Sequence, residues 1–192
     1  MVTATDARPA RQRILDSAIR LFYANGPRGV GVDTVIADSS VAKATFYKHY
    51  PSKDDLILAY LDTVHGLWFD AVRACARAGG DDPRGQLVAM FDAIDDEYRR
   101  DDYRGCAQLN AAAEAVPGSP VQRRTAENKA IVRDWITDTC RRAEAAQPDV
   151  LAAQLVLLID GALAGALSDT DERAPGAAKA AAAMLVQAHC PE

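Results

Sequence analysis

Helical periodicity runs through almost every segment of this chain, and no alternating run of β-branched residues is long enough to form a strand. The expected fold class is therefore all-α. Ile14, Leu15, Ala18, Leu21 and Phe22 share one face of a helix from about Arg8 to Asn25, which should stop at Asn25-Gly26-Pro27. Two short helices should follow, about Asp33 to Ser39 and Ala42 to His49, with a turn near Ser39-Ser40 between them. Pro51 breaks the pattern. Ser52, followed three residues later by Asp55, reads as a capping box that opens a long helix carrying Leu56, Leu61, Val64, Trp68, Val72 and Cys75.

Later helix starts are equally legible, since Asp82-Pro83 and Ser119-Pro120 each place a capping side chain before a proline at the first helical position. The first predicts one helix with Leu87, Met90, Phe91, Ile94 and Tyr98, and the second one with Ile131, Val132, Trp135, Ile136 and Cys140. Between them, Cys106 to Ala115 suits a shorter helix. Pro148 and Pro175 introduce the last two, Asp149 to Ser168 and Gly176 to Ala188, which brings the expected number to nine.

With 192 residues, 49% of them hydrophobic and 26% charged, the chain suits one compact unit or two small ones sharing a core, and not a disordered or disulfide-stapled chain. The four cysteines lie far apart with no CxxC pair, and no charged-then-apolar leader precedes Arg8, so a reducing cytoplasm, cysteines buried in helices and no metal centre are expected. Val150 to Leu167 is apolar enough to resemble a membrane span. Gln154 and Asp160 argue for a buried helix instead, because a carboxylate in the middle of a bilayer would lack a partner, and no membrane association is expected.

The net charge of −5 hides an asymmetry. Residues 1–60 hold eight Lys/Arg and six Asp/Glu, for +2, while the remainder holds 14 and 21, for −7, so only the first third suits a polyanion. That third contains the two short helices, each too short to be stable alone, whose packing on the first helix makes a helix-turn-helix. Ile36, Ala37, Val41 and Phe46 have the spacing for its small core, leaving Lys43, Thr45, Tyr47, Lys48 and His49 available for phosphates and base edges. The same spacing also fits a structural αα-hairpin.

The runs RQRILDSAIRLFYANG and IADSSVAKATFYKHYPSKDDLI, together about 50 residues between Arg11 and Leu61, closely resemble the DNA-binding domain of the TetR (tetracycline-repressor) family of bacterial transcriptional regulators. The resemblance implies a three-helix DNA-binding domain over 1–52 and a six-helix effector-binding and dimerisation domain over 53–192. It assigns base reading to Lys43, Ala44 and Thr45, and phosphate contacts to Tyr47, His49 and Lys53, with Thr34 also facing DNA. The chemistry suits these roles, since a lysine can donate to guanine and a threonine or alanine methyl can meet a thymine methyl. His49 could instead be a partly buried capping residue. Ser40 stands where the family usually has a turn glycine, at a cost of up to about 1 kcal/mol if the backbone there is left-handed, and Ala42 replaces the usual Ser/Thr cap.

In this family the C-terminal helices dimerise the protein and enclose a ligand pocket, so the partners implied are a double-stranded operator, a small-molecule effector and a second copy of the chain. The apolar run around Leu155, Leu158, Gly161, Ala162, Gly165 and Ala166, with Ala178, Ala181 and Leu185 on the last helix, supports a four-helix dimer bundle, although both helices could be plain intrachain core. Trp68, Phe91, Tyr98, Cys106 and Trp135 are candidate pocket residues at a spacing that also suits plain core. Asn110 and Glu114, four apart in LNAAAEAV, would need polar partners there. There are only three histidines, His49, His65 and His189, and no P-loop, HExxH or GxGxxG, so neither catalysis nor a cofactor is expected; a helical interaction module without sequence-specific DNA binding is the alternative.

Overall fold

The computed structural model describes residues 8–165 and 173–190, and no strand occurs among them. Ten helical segments follow in order: α1 (Ala10–Asn25), α2 (Val32–Ser39), α3 (Lys43–His49), α4 (Lys53–Ala78), α5 (Pro83–Ala89), α6 (Asp92–Tyr98), α7 (Ala107–Glu114), α8 (Pro120–Arg142), α9 (Pro148–Gly165) and α10 (Ala174–His189). Segments α5 and α6 are the single helix expected from Asp82-Pro83, interrupted once, so nine helices are recovered if they count as one. The backbone stays right-handed through Met90 and Phe91, but the Phe91 and Ala93 N–H groups reach back only three residues, to Val88 and Met90. This tightened turn lets the consecutive residues Met90 and Phe91 both enter the core, each 1% exposed.

The capping residues act as expected. Ser52 Oγ accepts the Asp55 N–H at 3.1 Å while the Asp55 carboxylate accepts the Ser52 N–H at 3.0 Å, which starts α4 directly after the helix-turn-helix recognition unit formed by α1, α2 and α3. The Asp82 side chain accepts the Arg84 and Gly85 N–H groups at the start of α5, and the Ser119 hydroxyl accepts the Gln122 N–H at the start of α8.

Two cores result. The first joins Ile14, Leu15, Ala18 and Phe22 of α1 to Phe46 and Tyr50 and to Leu56, Ile57, Tyr60 and Leu61 of α4, and it also takes in Ala111 and Val121. The first two turns of α4 thus complete the recognition unit. The second core binds the rest of α4 to α5, α6, α8, α9 and α10. The expected small core is corrected in one respect: Val35 is buried, Ile36 and Val41 only half so, and Ala37 is exposed, because α2 turns the Val35–Ser39 face toward α1. Helix α9 is long and apolar enough to cross a membrane, yet it packs between α8 and α10, and its Asp160 meets Lys129 of α8. Ala166, Leu167 and Ser168, at the expected end of this helix, lie outside the described residues.

Candidate functional site

The recognition surface begins at the turn between α2 and α3. Ser40 adopts the left-handed conformation, with φ 52° and ψ 43°, and the Val41 N–H reaches back to the Ile36 carbonyl. Beneath it the Arg13 guanidinium donates to the Ser39 and Ser40 carbonyls at 3.1 and 3.2 Å, tying the turn to α1. Helix α3 is anchored by Phe46, fully buried, against which Tyr47 packs edge-on with ring centres 5.2 Å apart. Burying Phe46 turns the other faces of this two-turn helix outward.

Lys43, Ala44, Tyr47 and Lys48 are exposed on that surface, as is Thr34 on α2, while Thr45, His49 and Lys53 are half-buried. The seven residues assigned to DNA by resemblance, and Lys48 assigned by its place on the second short helix, therefore lie on α2, α3 or the start of α4 and keep solvent-accessible surface. Lys43 Nζ lies 3.1 Å from Asp33 Oδ1 across the turn, and that hydrogen bond raises the lysine pKa and keeps it charged. Reading a base with Lys43 requires it to exchange Asp33 for a base edge. The pair was not foreseen, although Asp33 at the start of α2 and Lys43 at the start of α3 are both legible.

A cavity of about 820 Å³ opens between the recognition unit and the helical bundle. Its apolar wall comes from Val64, Leu67 and Trp68 of α4, Val132 of α8, and Val156, Ile159 and Leu163 of α9. Polar groups converge from other elements: Tyr23 of α1, His65 of α4, Gln108 of α7, and the Lys129–Asp160 pair joining α8 to α9. Gln108 donates to the Leu61 carbonyl at 2.9 Å and accepts from Asn128 at 3.3 Å, so these buried amides are partnered within the chain. Burial lowers the His65 pKa below its ordinary value, which leaves the imidazole neutral at pH 7.

Of the seven residues expected to line a pocket, only Trp68 and Cys106 do so. Phe91 lies in the second core at 1% exposure, Trp135 packs edge-on to Phe69 at 5.7 Å, and Tyr98 Oη donates to the Ala162 carbonyl at 2.5 Å. Asn110 and Glu114 are also corrected, because the partners their polarity demanded are protein groups. Asn110 Nδ2 donates to the Arg104 carbonyl at 2.8 Å, and Glu114 accepts the Arg28 backbone N–H at 2.8 Å.

Those two bonds belong to a latch between the bundle and the end of α1. Tyr23 Oη accepts the Arg104 N–H at 2.9 Å and donates to the Gly105 carbonyl at 3.1 Å, and the Arg104 guanidinium reaches the Ala24 carbonyl. The Glu114 carboxylate sits where a side chain at Gly26 would be, since a Cβ there would collide with Glu114 Oε1. Residues 100–107, which carry this latch, also form one wall of the cavity.

On the outer surface of the bundle, Leu157 is 70% and Met184 71% exposed. By helical phase Leu157 shares a face of α9 with Leu158 and Gly161, and Met184 a face of the adjoining α10 with Ala181 and Leu185, all at least partly open. Leu155, Ala162 and Ala178, also expected at an interface, are instead buried within the protomer, and Gly165 faces Tyr98 and Ala174. Helical phase decides this: Leu155, Ala162 and Ala178 point into the bundle and Leu157 and Met184 away from it.

The sequence profile of the bacterial regulatory proteins of the tetR family matches residues 14–60. A TetR-family transcriptional regulator from Streptomyces coelicolor is 34% identical, with 95% of this chain and 96% of that one covered and a TM-score of 0.87. A TetR transcriptional regulator from Streptomyces avermitilis is 28% identical over 95% and 98% of the two chains, with a TM-score of 0.84. An uncharacterised helix-turn-helix regulator of Lactococcus lactis is 25% identical over 108 residues, which span 56% of this chain and 55% of that relative, about half of its length. With the recognition unit, the bundle and a whole-length likeness in agreement, the chain belongs to the TetR family of transcriptional regulators.

Proposed function

We propose that the protein is a cytoplasmic repressor that binds a palindromic operator as a homodimer and releases it when a small molecule fills the cavity. The observation that carries this reading is the double role of residues 100–107, which line the cavity and hold the end of α1. Helix α1 in turn holds the recognition turn through Arg13. A ligand that displaces this loop changes the pose of α3, and DNA affinity and ligand affinity must then fall by the same factor. Helix α4, running from the recognition unit to the cavity wall, is a second route, and a covalent one.

The open apolar face of α9 and α10 supports the dimer, because large exposed aliphatic side chains in one contiguous patch mark an interface. Two copies of that face form a four-helix bundle about a two-fold axis, which sets two recognition helices about one DNA turn (~34 Å) apart.

Binding to a library of genomic fragments tests the reading. A pseudo-palindromic site should emerge. On it, Lys43→Ala should lose about 1–3 kcal/mol with relaxed preference at one position per half-site, whereas Lys53→Ala should weaken all sequences alike and lower the salt slope by about one. Uniform loss for Lys43→Ala would assign that residue to the backbone. No sequence preference at all would favour a helical interaction module.

A further inference from the structure

The α8–α9 wall of the cavity is aliphatic apart from Asn128 and one charged pair, in which the Lys129 ammonium meets both oxygens of Asp160. The two side chains remain 27% and 28% exposed, so the pair is neither sealed in the core nor fully solvated. Its neighbours Gln108 and Asn128 each spend an N–H inside the chain. Burial disfavours the charged form of His65 across the cavity. At the rim, Arg20 is paired with Asp38 at 2.8 Å and Arg100 with Glu97 and Asp102 at 3.1 Å, while Arg104 donates to the Ala24 carbonyl on the α1 side, away from the α8–α9 wall.

A carboxylate entering this cavity would compete with Asp160 for the one deep ammonium and set two anions side by side, and an ammonium would do the same to Lys129. An uncharged hydroxyl or amide meets no such conflict. Each Asp160 oxygen retains a lone pair and Lys129 retains an N–H, so the intact pair can accept from and donate to the same small group. The aliphatic wall and the Trp68 ring then cover an apolar body.

Resting on the reading of this cavity as the effector site, we propose that it takes an uncharged amphipathic molecule, an apolar body bearing a hydroxyl or amide group, and that the Lys129–Asp160 pair recognises that polar group.

Four probes with one ring system test this by calorimetric titration of the full chain: 2-naphthalenemethanol, 2-methylnaphthalene, 2-naphthoate and 2-naphthylmethylammonium. The alcohol should bind at least tenfold more tightly than each of the other three. Asp160→Asn leaves the ammonium uncompensated and should move preference at least tenfold toward the naphthoate, and Lys129→Met should move it toward the ammonium probe. The double exchange Lys129→Asp with Asp160→Lys keeps the pair and should restore the preference for the alcohol, which separates recognition from loss of fold.

Tighter binding of either ion or of methylnaphthalene to the native protein would overturn the proposal. So would unchanged preference in folded single variants, or no probe binding below millimolar concentration. Operator titration with the alcohol bound is read separately: unchanged DNA affinity would count against effector control while leaving the recognition by Lys129 and Asp160 in place.

Discussion

The recognition unit and the helical bundle solve opposite packing problems. The first core is filled by Phe22, Phe46, Tyr50 and Tyr60, each at most 3% exposed, and it presents a polar outer surface. The bundle leaves about 820 Å³ open beside its own core and presents an apolar outer face. A unit that must hold a two-turn helix in a fixed pose has no room for voids, because a void removes contacts that nothing else replaces. The bundle, proposed to respond to a ligand, keeps space and shares residues 100–107 with the latch on α1.

The contrast can be broken most forcefully at Phe46. Phe46→Ala should cost about 3–5 kcal/mol, whereas Val156→Ala on the cavity wall should cost only about 1 kcal/mol, since that side chain is half-covered. Urea unfolding of the two variants checks the difference, and equal losses would mean that the cavity wall is packed as tightly as the recognition core.

The next largest effect should come from the outer face. Leu157→Glu leaves the isolated protomer intact, because the side chain is already 70% exposed, but it should bury an unpaired charge in the dimer and cost several kcal/mol of association. Sedimentation at micromolar concentration should then find monomer, and a persistent dimer would move the interface elsewhere.

Tyr23→Phe sharpens the boundary between the two units. It removes the hydroxyl that holds Arg104 and Gly105 and should lower the coupling between ligand and operator by about 1 kcal/mol, roughly fivefold, with smaller changes in either affinity alone. Full coupling in this variant would shift the route to α4. The smallest effect concerns the turn: Ser40→Gly relieves the left-handed strain but loosens the unfolded chain, for a net gain of about 0.5 kcal/mol in thermal unfolding.

Legibility divides along the same line. The recognition unit is contiguous, so its helices and the Ser52–Asp55 capping box can be read from neighbouring residues, while the left-handed Ser40 is signalled only by the glycine usual there in the family. The cavity draws on α1, α4, α7, α8, α9 and a loop, and no periodicity says which distant faces converge. Aromatic residues misled because Phe91 and Trp135 fill space equally well in a core. Asn110 and Glu114 did signal partners, but a sequence cannot distinguish a ligand from a backbone N–H across the chain. Asp160 was the better clue, since a carboxylate in an apolar helix requires a cation, and Lys129 on the preceding helix supplies it.

The wedge of Glu114 against Gly26 also constrains how such a protein can diverge. Any side chain at position 26 must displace that carboxylate from the Arg28 N–H and bear a positive φ of 75°. Shortening Glu114 first would open the space, yet it would forfeit the bond that seats the loop after α1. Neither single step is neutral, so positions 26 and 114, 88 residues apart in sequence, are expected to drift together or not at all.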